Sequence, residues 1–187
     1  MSAVEIVTPT LERLPGYKDA LERGWSPDNV GLEKTAREHL KRIAEDAAAF
    51  VASLTDIEAK GAPIAMPDGT TRPRLPGRFL WVWDGEFCGS FGLRWVNGTS
   101  ELPEYCLGHI GYSIVPWKRR RGYATAALAQ VLTEARSVGL ESVQLTTDLK
   151  NEPSQKVILA NGGRALGPRQ KYSAYGDADE LLWRIDL

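Results

Sequence analysis

An α/β fold, of the α+β kind, is predicted by three features of the 187-residue sequence. Short runs of β-branched and aromatic residues are bounded by Gly, Pro, Asn or Asp, as strands are. Two long stretches carry apolar residues at three- and four-residue steps, the period of amphipathic helices. Between residues 107 and 138 a strand pattern passes through a basic turn directly into the second of those stretches.

Taken in order, residues 4–7 form a short strand closed by Pro9. Residues 10–23 have a helical pattern, but Pro15-Gly16 predicts an interruption and leaves a helix only in the second half. Ala36, Leu40, Ile43, Ala44, Ala47, Phe50, Val51 and Leu54 share one face and predict a single long helix. Residues 55–78, rich in Pro and Gly, show no periodicity. A long loop is expected there, serving either as a mobile surface segment or as a substrate lid. Residues 79–83 and 86–96 read as a hairpin around Asp84-Gly85, a dipeptide that favours a tight turn. Alternation puts Phe87, Phe91, Leu93 and Trp95 on one face, with Cys88, Ser90 and Arg94 on the other. A strand at 107–115 stops at Pro116. The stripe Ala124, Ala127, Leu128, Val131, Leu132, Ala135 and Val138 predicts a helix ended by Gly139. A strand at 141–147, a helix at 153–161 opened by Asn151, and a strand at 181–185 complete a single domain spanning 1–187.

The segment that carries chemistry is Ile114-Val115-Pro116-Trp117-Lys118-Arg119-Arg120-Arg121-Gly122-Tyr123-Ala124-Thr125. A strand ends, four cationic side chains follow, and a helix begins at a glycine. A helix N-terminus exposes unpaired N–H groups and a partial positive charge. A glycine there lets an anion approach the backbone. A basic run alone reads more simply as a solvated turn, but this one sits between a strand and a strongly periodic helix. The parts suit a pyrophosphate and a further phosphate, as coenzyme A offers.

This pattern resembles the GNAT N-acetyltransferase superfamily, whose cofactor loop reads Arg/Gln-x-x-Gly-x-Gly/Ala after a strand ending near a proline. Arg119, Gly122 and Ala124 fill those places. Asn151-Glu152-Pro153-Ser154, followed by Asn161-Gly162-Gly163, is similar to the family's Asn-x-x-Ser helix and its terminal glycine. Gly108-His109-Ile110-Gly111-Tyr112-Ser113-Ile114 resembles a group of bacterial predicted acetyltransferases. The likeness covers residues 79–163 well, and the N-terminal third only by the order of its elements. It implies one central mixed, mostly antiparallel sheet flanked by helices, and transfer of the acetyl group of acetyl-CoA to a primary amine by direct attack in a ternary complex.

The resemblance also implies site roles. The strand at 109–115 would splay from the next parallel strand. Main-chain groups at Ile114 and Val115 would meet the pantetheine arm, an N–H near Ile114 polarising the thioester carbonyl and stabilising the oxyanion. Backbone donors of Arg120, Arg121, Gly122, Tyr123, Ala124 and Thr125, with the Thr125 hydroxyl, would hold the phosphates, and Asn151 and Ser154 would contact the arm or cap their helix. His109 stands where many relatives carry glutamate, and is the candidate general base; an ordinary histidine pKa near 6.5 suits the task. The alternative is a histidine bonded within the sheet. Glu101 and Glu104 are reserves. Arg94 suits a carboxylate on the acceptor, or is a surface residue. Many relatives carry a tyrosine general acid where this chain has Ile158, so the acid is Tyr172, Tyr175 or none.

Composition excludes other classes. The net charge of −1 and a 43% hydrophobic share describe an ordinary globular chain, without a global field for nucleic acid or membrane. No run approaches the ~18 apolar residues of a membrane span. The N-terminus lacks a secretory pattern. Cys88 and Cys106 have no metal-type spacing and read as cytosolic thiols, leaving a ping-pong route through either as a lesser alternative. A cytoplasmic enzyme without a metal is expected, as monomer or homodimer. The rival is a non-catalytic acyl-CoA-binding module of the same fold.

Overall fold

The computed structural model describes residues 4–30, 32–176 and 178–187. Strand β1 (Glu5–Val7) precedes helices α1 (Leu14–Glu22), α2 (Leu32–Glu45) and α3 (Ala47–Ser53), then short strands β2 (Thr55–Asp56), β3 (Ile64–Ala65) and β4 (Thr71–Arg72). Strands β5 (Gly77–Trp83), β6 (Phe87–Arg94) and β7 (Ile110–Ile114) lead through a 3-10 turn (Pro116–Lys118) to α4 (Tyr123–Ser137). There follow β8 (Ser142–Asp148), α5 (Glu152–Ala160), β9 (Arg164–Gln170), a second 3-10 turn (Ser173–Tyr175) and β10 (Asp179–Asp186). No helix among the described residues is long and apolar enough to cross a membrane.

The expected α/β fold is present, its sheet in two antiparallel halves. One runs β1-β5-β6-β7 with β2 beside β5, the other β8-β10-β9. They meet where β7 approaches β8. Gly108 and His109 lie beside Gln144 and Leu145, and Tyr112 reaches Ser154 past the end of β8. The two strands therefore run in the same direction across the parting.

Each face of the sheet carries its own core. Leu80, Val82, Cys88, Phe91, Leu93, Ile110 and Ile114 pack under α4, α5 and the second half-sheet. Trp81, Phe87 and Val115 pack under the N-terminal helices through Tyr17, Ala20, Trp25, Ile43 and Phe50. Tyr17 is the centre of that second core, stacked on Trp81 at 4.9 Å. Its hydroxyl is satisfied by His39 Nδ1 at 2.7 Å.

Several expectations are corrected. Pro15 lies in the first turn of α1, where its missing N–H costs nothing, so it starts the helix rather than interrupting it. The single long helix is two. Asp46 turns extended, and its carboxylate caps α3 by accepting from Ala49 N–H at 2.9 Å. The 55–78 segment is ordered as β2 and the β3–β4 hairpin, which Arg72 ties to the Tyr172 hydroxyl at 2.6 Å. Phe87 faces the opposite core from Phe91, because a bulge at Cys88 shifts the alternation: Val82 pairs with Gly89 but Trp83 with Phe87. Strand β9 was not expected, since Gly167 and Pro168 in an exposed edge strand erase the usual pattern.

Candidate functional site

The parting of β7 from β8 builds the site, and His109 is its pivot. His109 C=O accepts from Arg94 N–H on β6, while its own N–H turns the other way and donates to Gln144 O on β8 at 2.8 Å. Its ring completes the joint: Nδ1 accepts from Gln144 N–H at 2.9 Å. The imidazole thus stands in for a strand carbonyl at the last rung before the halves diverge.

This is the geometry of the alternative reading, a histidine bonded within the sheet. The Nδ1 lone pair is engaged, so the neutral ring carries its proton on Nε2, which is buried without a protein acceptor. The residue is 0% exposed. Burial first, and the charge of Arg94 second, lower its pKa to about 4 against the Gln144 bond. A ring with no free acceptor at neutral pH is a strut.

Beyond His109 the open edge of β7 begins. Ser113 and Gly111 pair toward β6, and Val115 N–H continues that ladder to Cys88 O at 2.9 Å. Alternation therefore turns the N–H and C=O groups of Tyr112 and Ile114 toward the parting. Their carbonyls are taken by side chains: Asn29 Nδ2 donates to Tyr112 O at 3.1 Å, and Arg119 Nε to Ile114 O at 3.0 Å. Their N–H groups meet no protein acceptor among the described residues. Ile114 is thus placed as expected for a main-chain donor. Val115 is not, because its N–H is engaged with β6, its C=O accepts from Lys118 N–H, and its side chain is in the core.

The basic loop divides its charges. Lys118 is buried and turns inward to Asp84, at 2.8 Å and 3.0 Å, with Glu86 at 3.0 Å. Burial opposes its charge, but these carboxylates raise its pKa to about 12. Arg119 braces the strand end. Arg120 and Arg121 are exposed. Arg120 (φ 61°) and Gly122 (φ 77°) both take the left-handed conformation, which folds the loop into a concave row of N–H groups. The first helical bond of α4 is donated by Ala126 to Gly122 O at 3.0 Å. The N–H groups of residues 120–125, Tyr123, Ala124 and Thr125 among them, therefore have no protein acceptor among the described residues. Asn161 Nδ2 donates to Thr125 O at 3.2 Å and fixes the end of α5 against this turn.

On the far side of the parting, Asn151 caps α5 by accepting from Ser154 N–H at 3.2 Å. The Ser154 hydroxyl is 2.5 Å from the Tyr112 hydroxyl, bridging β7 to α5. Ile158, in the place of the usual acid, is 0% exposed in the core. Tyr172 is tied to Arg72, and Tyr175 donates to Met66 Sδ at 3.9 Å. Burial raises the Tyr175 phenol. Glu101 lies by Glu141 and Ser142, and Glu104 by Arg169 and Tyr172. Neither glutamate pairs with Arg94 or His109. Both cysteines are free and buried. Burial, then Asp84, raises the Cys88 thiol to about 12, and the Cys106 thiol donates to Gly108 O at 3.4 Å. Neither is placed as a nucleophile.

Arg94 lies on the face that carries Gly92 and Gly111, cross-strand partners with no side chains. Its Nη2 is 3.7 Å and 3.5 Å from where their Cβ atoms would stand. No carboxylate pairs with it among the described residues. The α1–α2 loop closes on the same face, where Trp25 Nε1 donates to Ser113 Oγ at 2.9 Å. Asp84, Tyr112 and Asn29 escaped sequence reasoning. The Gly-Tyr pair was a signal for Tyr112, Asp84 read only as a turn residue, and nothing local marks Asn29. No group of His, Cys, Asp and Glu among the described residues could hold a metal ion.

Residues 33–164 match the family described as the acetyltransferase (GNAT) domain. The chain is similar in fold to Mycobacterium smegmatis RimJ in complex with CoA-disulfide, at 20% identity, 98% of this chain and 81% of that one covered, TM-score 0.63. It is similar to RimL, a ribosomal L7/L12 alpha-N-protein acetyltransferase in complex with coenzyme A, at 11% identity, 100% and 96% covered, TM-score 0.62. A third similar structure is the microcin C7 self immunity acetyltransferase MccE in complex with acetyl-CoA and AMP, at 11% identity, 100% and 94% covered, TM-score 0.59. No curated protein matches the chain in sequence.

Proposed function

The chain belongs to the GNAT acetyltransferase family, and on that premise we propose that it transfers the acetyl group of acetyl-CoA to a primary amine by direct attack in a ternary complex. The observation that carries this reading is the run of unpaired N–H groups at residues 120–125 beside the open edge of β7. An anion at the start of α4 meets the donors, the helix dipole and the exposed Arg120 and Arg121 together. The half-buried Thr125 adds a hydroxyl to that cradle. The pantetheine arm runs along β7 under Tyr112 and Ser154, and the Ile114 N–H donates to the thioester carbonyl, where negative charge develops during attack.

The acceptor approaches over the bare Gly92–Gly111 surface, where Arg94 offers a half-buried guanidinium to a carboxylate. With His109 locked in the sheet, the amine gives up its proton to water. Thiolate needs no strong acid to depart, and Tyr175, electrostatically coupled to Arg94, is the phenol best placed to supply one. A cytoplasmic setting suits the two free thiols, Cys88 and Cys106.

Calorimetric titration with acetyl-CoA, paired with thermal unfolding, tests the reading. Acetyl-CoA should bind and raise Tm, and removing the 3′-phosphate should weaken binding more than removing the sulfur. No binding and no Tm shift at millimolar acetyl-CoA would overturn it. Thiol release with a panel of amines then separates an enzyme from an acyl-CoA-binding module, a reading favoured by the core position of Ile158 and the locked His109.

A further inference from the structure

Asp84 sits in the tight turn between β5 and β6, 34 residues before the loop it touches. Its carboxylate accepts from Lys118 Nζ on both oxygens, at 2.8 Å and 3.0 Å, and from the Tyr123 hydroxyl on Oδ2 at 2.6 Å. Glu86 N–H completes it at 3.2 Å on Oδ1. The Asp84 and Lys118 side chains are each 10% exposed, whereas Glu86, the other anion on Lys118, is 79% exposed. Lys118 closes the 3-10 turn and Tyr123 opens α4, so the two donors flank residues 119–122. One carboxylate holds both ends of that segment.

The segment it holds has two left-handed residues and carries three arginines side by side. Its other side-chain ties include Arg119 to Ile114 O, a long Arg121 bond to Trp117 O at 3.4 Å, and Arg121 to the Tyr123 hydroxyl. Trp117 itself is covered by the Arg23 guanidinium, 3.4 Å from the ring centroid. Like charges along such a short turn favour its opening. Donors that must be ordered at the moment of binding lose affinity to that ordering, and donors fixed beforehand do not.

We propose that Asp84 is a positioning residue for the cofactor loop, clasping Lys118 and Tyr123 so that the N–H groups of residues 120–125 stand ready for the phosphates. This rests on the reading that the loop binds acetyl-CoA. Asp84 touches no reacting atom; it acts through the two residues it holds. Burial alone would push the Asp84 carboxyl up, but the bonds from Lys118, Tyr123 and Cys88 hold it well below the usual carboxylate range. The clasp is accordingly closed throughout the neutral pH range.

Calorimetry on the full chain with two probes, acetyl-CoA and 3′,5′-ADP, tests it. The second carries phosphates without the thiol arm. Asp84→Asn should raise Kd for both probes by the same factor, about tenfold, equivalent to 1.4 kcal/mol. In steady state the acetyl-CoA KM should rise while kcat at saturation and the acceptor KM hold. Tyr123→Phe removes one bond and leaves the buried ion pair, so it tests the clasp without threatening the fold. It should raise Kd for both probes by a smaller factor. The double variant should be no worse than Asp84→Asn alone, because the hydroxyl acts through the carboxylate. Wild-type affinity in both single variants, a lowered Tm with unchanged Kd, or additive losses in the double variant would each overturn the clasp. Failure of the wild-type protein to bind either probe would instead overturn the loop's assignment to acetyl-CoA.

Discussion

Along its edge toward β6, strand β7 pairs residue by residue, and His109 C=O and Val115 N–H extend the ladder beyond both ends. Along its edge toward β8 it has, among the described residues, one main-chain bond, at His109, after which Asn29 and Arg119 take the carbonyls of Tyr112 and Ile114. The two edges share one backbone and one set of side chains, so propensity does not separate them. What separates them is the partner. A buried polar group left unpaired costs about 1–3 kcal/mol, and on the open edge borrowed side chains limit that cost for the acceptors only. The donors are left over. On the function proposed above, a strand edge serves stability where it is paired and binding where pairing stops.

The largest effect that would break this contrast lies on the paired edge. A Cβ at Gly89 would stand 2.3 Å from Ser113 O and 2.9 Å from Ile114 Cα, both main-chain atoms that cannot swing aside. Gly89→Val should destabilise the protein by about 3 kcal/mol, the upper range for overpacking. The urea midpoint checks this, and a midpoint like the wild type's would mean the β6–β7 ladder is looser than its register implies.

The joint between the edges comes next. His109→Ala leaves Gln144 N–H without its acceptor and opens a void, and should cost roughly 2 kcal/mol. His109→Gln supplies an amide oxygen in place of Nδ1 and should restore both stability and rate. A glutamine variant with wild-type stability and a hundredfold slower rate would return the histidine to proton transfer. The same site carries a pH signature. The folded ring, with a pKa of about 4, refuses a proton that the unfolded chain takes up near pH 6.5. More protons are thus bound in the unfolded state between those values. Stability should therefore fall as pH is lowered through this window, with a slope approaching about 1.4 kcal/mol per pH unit for each such histidine. His39, lowered to about 4 chiefly by burial, contributes in the same sense. His109→Gln should remove about half of the slope, and an unchanged slope would assign the signal elsewhere.

The smallest stability effect is expected at the basic loop. Gly122 opens α4 at φ 77°, where a side chain is strained by about 1 kcal/mol. Nothing lies within 4 Å of the added Cβ, so the cost is conformational and no protein atom need move. Gly122→Ala should lower stability by that amount and weaken acetyl-CoA further than the stability loss explains. Equal acetyl-CoA affinity would place the phosphates elsewhere.

The basic loop was legible as structure because its parts are contiguous: strand, basic turn, glycine and helix follow one another between Ile114 and Thr125. The β5–β6 hairpin and the α4 stripe were legible for the same reason. What the sequence hid is what distance assembles. Lys118 is one of four cations in a row in the sequence, and Asp84, 34 residues away, sets it apart from the other three. His109 could be read either as a base or as a sheet histidine, because its Nδ1 partner is a main-chain N–H across the parting. The break at Asp46 was visible as a capping residue before three alanines, but the apolar stripe ran through it and outweighed it. Arg94 was placed on the correct face, opposite Phe91, even though the bulge at Cys88 sent Phe87 to the other core.

Strand β9 closes the β8-β10-β9 half at its outer margin. An exposed outer strand invites a stranger's backbone to dock and propagate, the first step toward fibrils. Here Pro168 lacks the N–H that a new strand would need, the pairing of β9 with β10 slips between Leu182 and Trp183, and the exposed Arg164 adds charge. The irregularity that hid this strand from pattern recognition also guards it, since at this edge a neighbouring molecule meets no flat template to copy.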